Sequence, residues 1–327
     1  MIDIAAHIIP PRLWRRIADS IGPMGREAVS RNPGLVDLEE RRRTIDLFDV
    51  HRYRQVLTVS LQATEDAALL DQKVELCRSA NEELRELVEA EPSCFVGALG
   101  ALPLVDPAAA MREVDHLQEL GLPGFQVYSS VGGRPLDNPT ILEVLEYAFS
   151  RGLICLLHPV RGPVPDYEGE ERSRFALFRI LGWPYETSLA MMRLVFSGLF
   201  ERQPDAVIIT HHLGAMIPYL SARIETHYSR ANDPEVPARL PRRPIEYLHE
   251  FFGDTALNGG PHAVRCGVDF FGAERVLFGS DFPFDNQAGR VFIQNAIDAV
   301  NGAGFDQDQT AAIFEGNARR LLRLSSD

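Results

Sequence analysis

Short apolar runs alternate with amphipathic segments along the whole chain. Eight runs have the length and the Val, Ile and Leu content of β-strands; they cover residues 2–7, 54–60, 94–101, 124–128, 153–158, 206–211, 251–256 and 275–281. Several lack polar alternation, which is typical of parallel strands buried on both faces. Intervening segments such as 108–120 and 140–151 carry apolar residues at helical spacing. The pattern predicts an α/β fold, a (β/α)8 TIM barrel.

The chain length fits one such barrel and leaves little for a second domain, so residues 1–327 are interpreted as a single unit. Two connections, near 8–43 and 159–190, are longer than a bare barrel needs. Both leave the carboxyl end of a predicted strand and contain Pro and Gly breakers. We expect partly irregular lids over the mouth of the barrel, where catalytic loops lie in this fold.

Composition excludes several classes of function. The net charge of −13 argues against nucleic acid or an anionic membrane as a partner, because both require clustered Lys and Arg. No apolar run is long enough to span a membrane, and the N-terminus MIDIAAHIIP does not resemble a signal peptide. The four cysteines form no CxxC pair. These features predict a cytoplasmic protein.

Polar groups stand at the ends of four predicted strands. They are His7, His158, the adjacent His211 and His212, and Asp281. Strand ends converge on one mouth of a barrel, and imidazoles with a carboxylate suit Zn²⁺, Mn²⁺ or Fe²⁺. The sequence therefore predicts one divalent transition metal, with Zn²⁺ favoured. Strand alternation prevents His211 and His212 from facing the same side of a regular strand, so one of them must have a secondary role.

Three segments resemble the amidohydrolase superfamily, in its branch of aminocarboxymuconate-semialdehyde and γ-resorcylate decarboxylases. They are IDIAAHIIPPRLW, GWPYETSLAMMRLVFSGLFERQPDAVIITHHLGAMIPYLSARI and RVLFGSDFPF. By this resemblance His212, six residues before Pro218, is the strand-6 histidine, and His211 is a packing or supporting residue unless the roles are reversed. The resemblance also implies that Asp281 binds metal and shuttles a proton, with His212 as its acid/base partner.

One position departs from the family pattern. The family commonly opens with an HxH pair of metal ligands, and here Ala5 stands at the first position and His7 at the second. Three interpretations stay open. The metal is held by His7, His158 and Asp281 with or without His212, another group or water completes the site, or the metal has been lost. We favour the first because three protein ligands suffice for catalysis.

The resemblance implies nonoxidative decarboxylation of a hydroxy-, amino- or oxo-substituted aromatic or unsaturated carboxylic acid. Trp183 is a candidate wall of the substrate pocket, and Arg161, just after His158, is a candidate for binding the carboxylate. A metal-dependent hydrolase or hydratase would use the same groups. A degenerate barrel that binds a ligand without catalysis is the other alternative. A homodimer is implied by the resemblance alone.

Overall fold

The computed structural model describes residues 1–60, 72–228 and 240–324. Eight parallel strands form one sheet in chain order. Their bounds are β1 Ile2–Ile8, β2 Arg54–Val59, β3 Phe95–Ala101, β4 Gly124–Tyr128, β5 Ile154–His158, β6 Ile208–Thr210, β7 Phe252–Asp254 and β8 Val276–Leu277. Ser130–Val131 and Arg134–Pro135 pair as a small antiparallel ribbon after β4.

Backbone hydrogen bonds join the first strand to the last. The Ile4 amide donates to the Phe278 carbonyl at 2.9 Å, and the His7 amide donates to the Phe282 carbonyl at 2.8 Å. Ala6 also forms a parallel bridge with Phe282. The sheet thus closes on itself, which leaves no open edge. The predicted (β/α)8 barrel is confirmed.

Helices surround the barrel. Two of them, α5 and α6, begin with an Asp or Asn cap followed by Pro, a combination that satisfies a free amide and pre-sets the helical φ; the caps are Asp106 and Asn138. The helices among the described residues are α1 Pro11–Ile17, α2 Pro23–Arg31, α3 Leu38–Leu47, α4 Lys73–Ala90, α5 Pro107–Glu119, α6 Pro139–Ser150, α7 Trp183–Phe196, α8 Leu199–Arg202, α9 Ile217–Tyr228, α10 Pro244–Leu248, α11 Pro261–Phe271, α12 Arg290–Gly302, α13 Gln307–Ala311 and α14 Asn317–Leu322.

Buried apolar residues form two clusters. The smaller one fills the barrel interior with side chains such as Ile4, Leu156 and Ile209, and Ala318 and Leu322 of α14 pack against it. The larger one lies between the outward faces of the strands and the helices. Successive strand residues therefore serve different cores, which explains the continuous apolar runs in the sequence.

A β-bulge interrupts β1. Asp3 pairs with Gln55 and Ala6 with Leu57, so three steps along β1 oppose two along β2. The extra residue places Ile4 and Ala5 together in the interior cluster. Bulges re-aim side chains in this way. Beyond the bulge His7, buried to 1% exposure, pairs with Thr58.

The two long connections differ from one another. The first, predicted as partly irregular near 8–43, is largely helical and contains α1, α2 and the start of α3. The second is irregular from 159 to 177, then forms a π-helical turn, Phe178–Gly182, that continues into α7. Among the described residues, no helix has both the length and the apolar character needed to cross a bilayer.

Candidate metal centre

Four side chains converge at the carboxyl ends of β1, β5, β6 and β8. His7, His158, His211 and Asp281 each offer one ligand atom, and these atoms lie within 4.8 Å of one another. All four residues are buried. Residues far apart in sequence meet here because parallel strands of a barrel end at the same mouth.

Hydrogen bonds at Nδ1 orient two of the imidazoles. Thr58 Oγ1 lies 2.9 Å from His7 Nδ1. His158 Nδ1 donates to the Pro159 carbonyl at 2.7 Å. A histidine whose Nδ1 is engaged in this way presents Nε2 as its ligand atom. The Nε2 atom of His7 is buried and has no hydrogen-bond partner among the described residues.

Asp254 orients the third imidazole. Its Oδ2 lies 2.7 Å from His211 Nδ1, and both side chains are fully buried. The other oxygen, Oδ1, accepts from the His212 amide at 3.0 Å. Sequence reasoning overlooked Asp254, although it stands in the predicted strand 251–256 as the acid in FFGDTA. A buried acid near the end of an apolar strand was the signal that could have found it.

Asp281 supplies the carboxylate. It adopts a left-handed backbone with φ of 63°, which Asp tolerates better than most residues. Its Oδ1 lies 3.3 Å from His7 Nε2 and 3.5 Å from His211 Nε2. Burial acts to raise the pKa of this carboxyl, but the imidazoles of His211 and His7 outweigh burial and lower the pKa.

The charges of the buried side chains in the cluster favour a cation. Burial favours neutral His211, yet the carboxylates of Asp254 and Asp281 together outweigh burial and raise the pKa of His211 to about 10. Burial, reinforced by His211 and His7, holds the pKa of His158 well below its ordinary value. The two buried carboxylates, Asp254 and Asp281, thus favour positive charge at His211, which lies between them. Three imidazoles and one carboxylate, with two orphaned Nε2 atoms at His7 and His211, fit a divalent transition metal.

His212, a ligand in the predicted set, lies outside this group of four, and His211 lies within it. β6 ends at Thr210, and His212 has left-handed angles, φ 57° and ψ 37°. Its ring packs 4.0 Å from the ring of His211 and is half-buried. His211, which follows the inward-facing Ile209 by two residues, takes the position in the cluster expected for His212.

Aromatic rings border the cluster. The ring of Trp183 lies 6.2 Å from that of His158, and the ring of Tyr128 lies 5.5 Å from it. The ring of Phe284 lies 5.6 Å from that of His7. All three aromatic residues are half-buried. Trp183 therefore lies beside the cluster, at the first residue of α7 rather than in a loop.

Arg161 contacts the first turn of α7. Its Nη1 donates to Glu186 at 2.9 Å, and its carbonyl accepts from Trp183 Nε1 at 3.2 Å. A Cβ at Gly182 would lie 2.6 Å from Arg161 Cδ, so glycine is needed for this packing. The structure gives Arg161 a clear role in orienting Trp183, while its predicted contact with a substrate carboxylate stays a prediction.

A buried arginine supports the cluster from the first long connection. Arg41 of α3 is fully buried, and it donates to Gln55 Oε1 at 2.6 Å, to the Gly34 carbonyl at 3.2 Å and to the His7 carbonyl. Burial lowers the pKa of its guanidinium to about 9. Arg41 thus ties α3 to the backbone of a candidate ligand.

Asp3 links the ends of β1 and β8. Its Oδ1 accepts from the amides of Ala5 at 3.0 Å and Ser280 at 3.1 Å. Its Oδ2 accepts from Tyr53 at 2.6 Å and from the Ser280 hydroxyl. Burial raises the pKa of Asp3 although these four bonds oppose the rise. The carboxylate therefore caps the bulge in β1 and fixes the residue before Asp281.

Comparison with known proteins places this site in a family. A model of the amidohydrolase family matches residues 2–324. The chain belongs to this family. A similar protein is the γ-resorcylate decarboxylase of Rhizobium radiobacter, 31% identical over 89% of this chain and 88% of the relative. The predicted resemblance to the decarboxylase branch is confirmed.

Two further relatives are also named as decarboxylases. The 2-amino-3-carboxymuconate-6-semialdehyde decarboxylase of Dictyostelium discoideum is 28% identical over 77% of this chain and 67% of its own length. The crystal structure of a dihydroxybenzoic acid decarboxylase from a Polaromonas species matches all of this chain and 97% of its own, with a TM-score of 0.80 and 27% identity. That structure contains manganese and the inhibitor 2-nitroresorcinol.

Proposed function

We propose that this protein is a metal-dependent nonoxidative decarboxylase of an aromatic carboxylic acid with a neighbouring hydroxyl group. The observation that carries the proposal is the convergence of His7, His158, His211 and Asp281 within 4.8 Å. Half-buried aromatic rings border this cluster and suit a flat, aromatic substrate. Relatives of 27–31% identity that carry decarboxylase names support the choice of reaction.

We propose His7, His158, His211 and Asp281 as the ligands of one divalent ion. Zn²⁺ is our first choice because three imidazoles suit it, and Mn²⁺ is the alternative that the Polaromonas structure supplies. The ion would supply Lewis-acid stabilisation to the carboxylate and the neighbouring oxygen of the substrate. Ala5 contributes no donor, and His211 makes a fourth ligand available from β6.

Asp281 and His212 are the groups that we propose for proton transfer. The lowered pKa leaves Asp281 ionised in the resting protein, so it must first take up a proton from substrate or water. It then delivers that proton to the ring carbon that bears the carboxylate. The bond from this carbon to the carboxylate breaks, CO2 leaves, and the electron pair restores the aromatic ring. Burial, with His211, lowers the pKa of His212 to about 3, so His212 acts as a neutral hydrogen-bonding partner.

Removing the metal should abolish CO2 release. We expect chelation to lower kcat/KM for 2-hydroxylated benzoates by at least about 10³-fold, because a metal supplies several kcal/mol of charge stabilisation. Restoring Zn²⁺ or Mn²⁺ should recover activity. At a metal concentration of about 100 Kd, binding should also raise Tm by about 4 °C. Metal content, CO2 release and thermal unfolding measure these effects.

The alternatives predict different products. Clean hydrolysis of an amide or ester without CO2 release would support the hydrolase. If added metal changes neither Tm nor activity, the chain is a barrel that binds no metal, and the proposed function fails.

We also propose that the protein forms a homodimer through an apolar face. Leu181 and Tyr185 lie one helical turn apart and are 62% and 50% exposed, and Tyr219 is 83% exposed. A hydrogen bond of 3.0 Å from the Met216 amide to Ser188 joins the two parts of this face. Large apolar side chains that are exposed in neighbouring segments suit a protein interface.

A charge in this face should separate the subunits. We expect sedimentation velocity to show a dimer for the wild type and monomers for Leu181→Glu and Tyr219→Glu. Val50→Glu is the matched control, because Val50 is 85% exposed and lies in the turn Asp49–His51, outside the proposed face. A wild-type monomer, or dimers in all variants, would contradict the proposed interface.

A further inference from the structure

A small cavity lies beside the metal cluster, at the carboxyl ends of β2, β3 and β4. Its volume is about 30 Å³. Three polar residues, Lys73, Gln126 and Tyr128, border it, and the remaining lining residues are aliphatic. Tyr128 belongs to both spaces, since its ring also meets that of His158 edge-on at 5.5 Å. A ligand at the metal cluster is thus one aromatic ring away from this cavity.

The amide orientation of Gln126 is fixed by the backbone. Phe125 and Val127 belong to the outer core, so Gln126 between them points into the barrel. Its Nε2 donates to the Val59 carbonyl at 3.2 Å. Exchanging the two amide atoms would set oxygen against oxygen, so Oε1 is the free end.

Oε1 of Gln126 is an acceptor without a donor. The residue is 7% exposed, and this oxygen has no hydrogen-bond partner within residues 1–60, 72–228 and 240–324. Buried polar groups are nearly always hydrogen-bonded, because an unpaired one loses its hydration without compensation. A donor from a bound molecule would remove this cost.

Lys73 narrows the chemical class of the ligand group that could donate to Gln126 Oε1. Its side chain is 7% exposed and borders the same cavity. An ammonium donates hydrogen bonds and accepts none. A hydroxyl can donate to Gln126 and accept from Lys73 at once. A methyl group can do neither, and an aromatic amine is a poor acceptor.

We propose that this cavity is a subsite for a second hydroxyl group on the aromatic acid, with Gln126 as the residue that selects it. The proposal rests on the proposed function, because it takes the acid to be bound at the metal cluster. A volume of about 30 Å³ is close to the share of one water molecule in the liquid. The subsite is therefore large enough for a hydroxyl group.

The test compares acids that differ by one hydroxyl. Wild type and Gln126→Leu are assayed for CO2 release from 2-hydroxybenzoate and from the 2,3-, 2,4-, 2,5- and 2,6-dihydroxybenzoates. We expect the wild type to prefer one dihydroxy isomer over 2-hydroxybenzoate. Gln126→Leu should lower kcat/KM for that isomer by about 10- to 100-fold and change kcat/KM for 2-hydroxybenzoate by less than about 3-fold.

Gln118→Leu is the matched control. Gln118 also donates from Nε2 to a backbone carbonyl, that of Arg151, but it lies on the exposed face of α5. Gln126→Met, which keeps the length of the side chain, guards against misfolding of the leucine variant. An equal loss for all acids in both Gln126 variants, or a wild type that prefers 2-hydroxybenzoate, would overturn the subsite.

Binding measurements test the subsite independently of the decarboxylation reaction. If metal-loaded wild type releases no CO2 from any of these acids, the proposed function has failed, and dissociation constants from calorimetry then test the subsite alone. Tighter binding of one dihydroxy isomer that Gln126→Leu abolishes would support it. The same preference in both proteins, or none in the wild type, would refute it.

Discussion

Replacing His211 by asparagine should remove the metal, whereas the same replacement of His212 should leave it in place. Asparagine matches the Nδ1 end of histidine and lacks the Nε2 end. In His211→Asn the contact with Asp254 is retained and the proposed ligand atom is lost. We expect metal affinity to fall at least about 100-fold, beyond what loss of a supporting residue costs. CO2 release should fall with it.

His212→Asn tests the other half of this expectation. The His212 side chain lies beside the cluster but outside it, so metal affinity should stay within about 3-fold of wild type. Activity should still fall by about 10²- to 10⁴-fold if His212 assists proton transfer. Metal titration of both apo-proteins distinguishes His211 from His212 as the ligand, and circular dichroism checks that both variants are folded. Loss of metal from His212→Asn alone would reinstate His212 as the ligand.

Asp281→Asn should nearly abolish turnover while the protein still binds metal. Asparagine has the size of Asp281 and tolerates its φ of 63°, so the backbone should persist. The amide cannot relay a proton as the carboxylate does. We expect kcat at saturating metal to fall by at least about 10³-fold, and metal affinity by about 10- to 100-fold.

The matched control for this variant is Asp285→Asn, four residues along the same turn. Asp285 caps the start of α12, where it accepts from the amides of Gly289 and Phe292 at 2.8 Å each. This change should cost stability of about 1 kcal/mol and leave kcat unchanged. If Asp281→Asn retains kcat within about 10-fold under equal metal loading, another group moves the proton.

The barrel could be predicted from the sequence because its strands are buried on both faces and appear as uninterrupted apolar runs. β4 matches the predicted residues 124–128, and β1 and β2 differ from prediction by one residue. β8 is regular only over Val276–Leu277, against a predicted 275–281. Beyond Leu277 the backbone amides no longer pair with the neighbouring strand. The Phe278 amide donates to the Ile313 carbonyl, and the Gly279 amide donates to Thr255 Oγ1. Such contacts between distant segments leave no local signal.

The candidate site was predictable in its location and less so in its membership. His7, His158 and Asp281 were identified because they end apolar runs, and the structure brings them together. The choice between His211 and His212 depended on where β6 ends, which the left-handed turn decides. The pattern Ile209, His211 repeats Leu156, His158, and this shared alternation was the available clue.

The bulge in β1 gives the barrel an additional inward-facing residue, Ala5. The strand carries one inward-facing residue more than its pairing with β2 requires, and Asp3 satisfies the amide that the bulge frees. A Cβ at Gly279 would lie only 3.3 Å from the Ala5 methyl group, so glycine keeps room beside it. Ala5 therefore lies in the interior cluster two residues before His7. A side-chain donor at this position would take a substitution at a single codon.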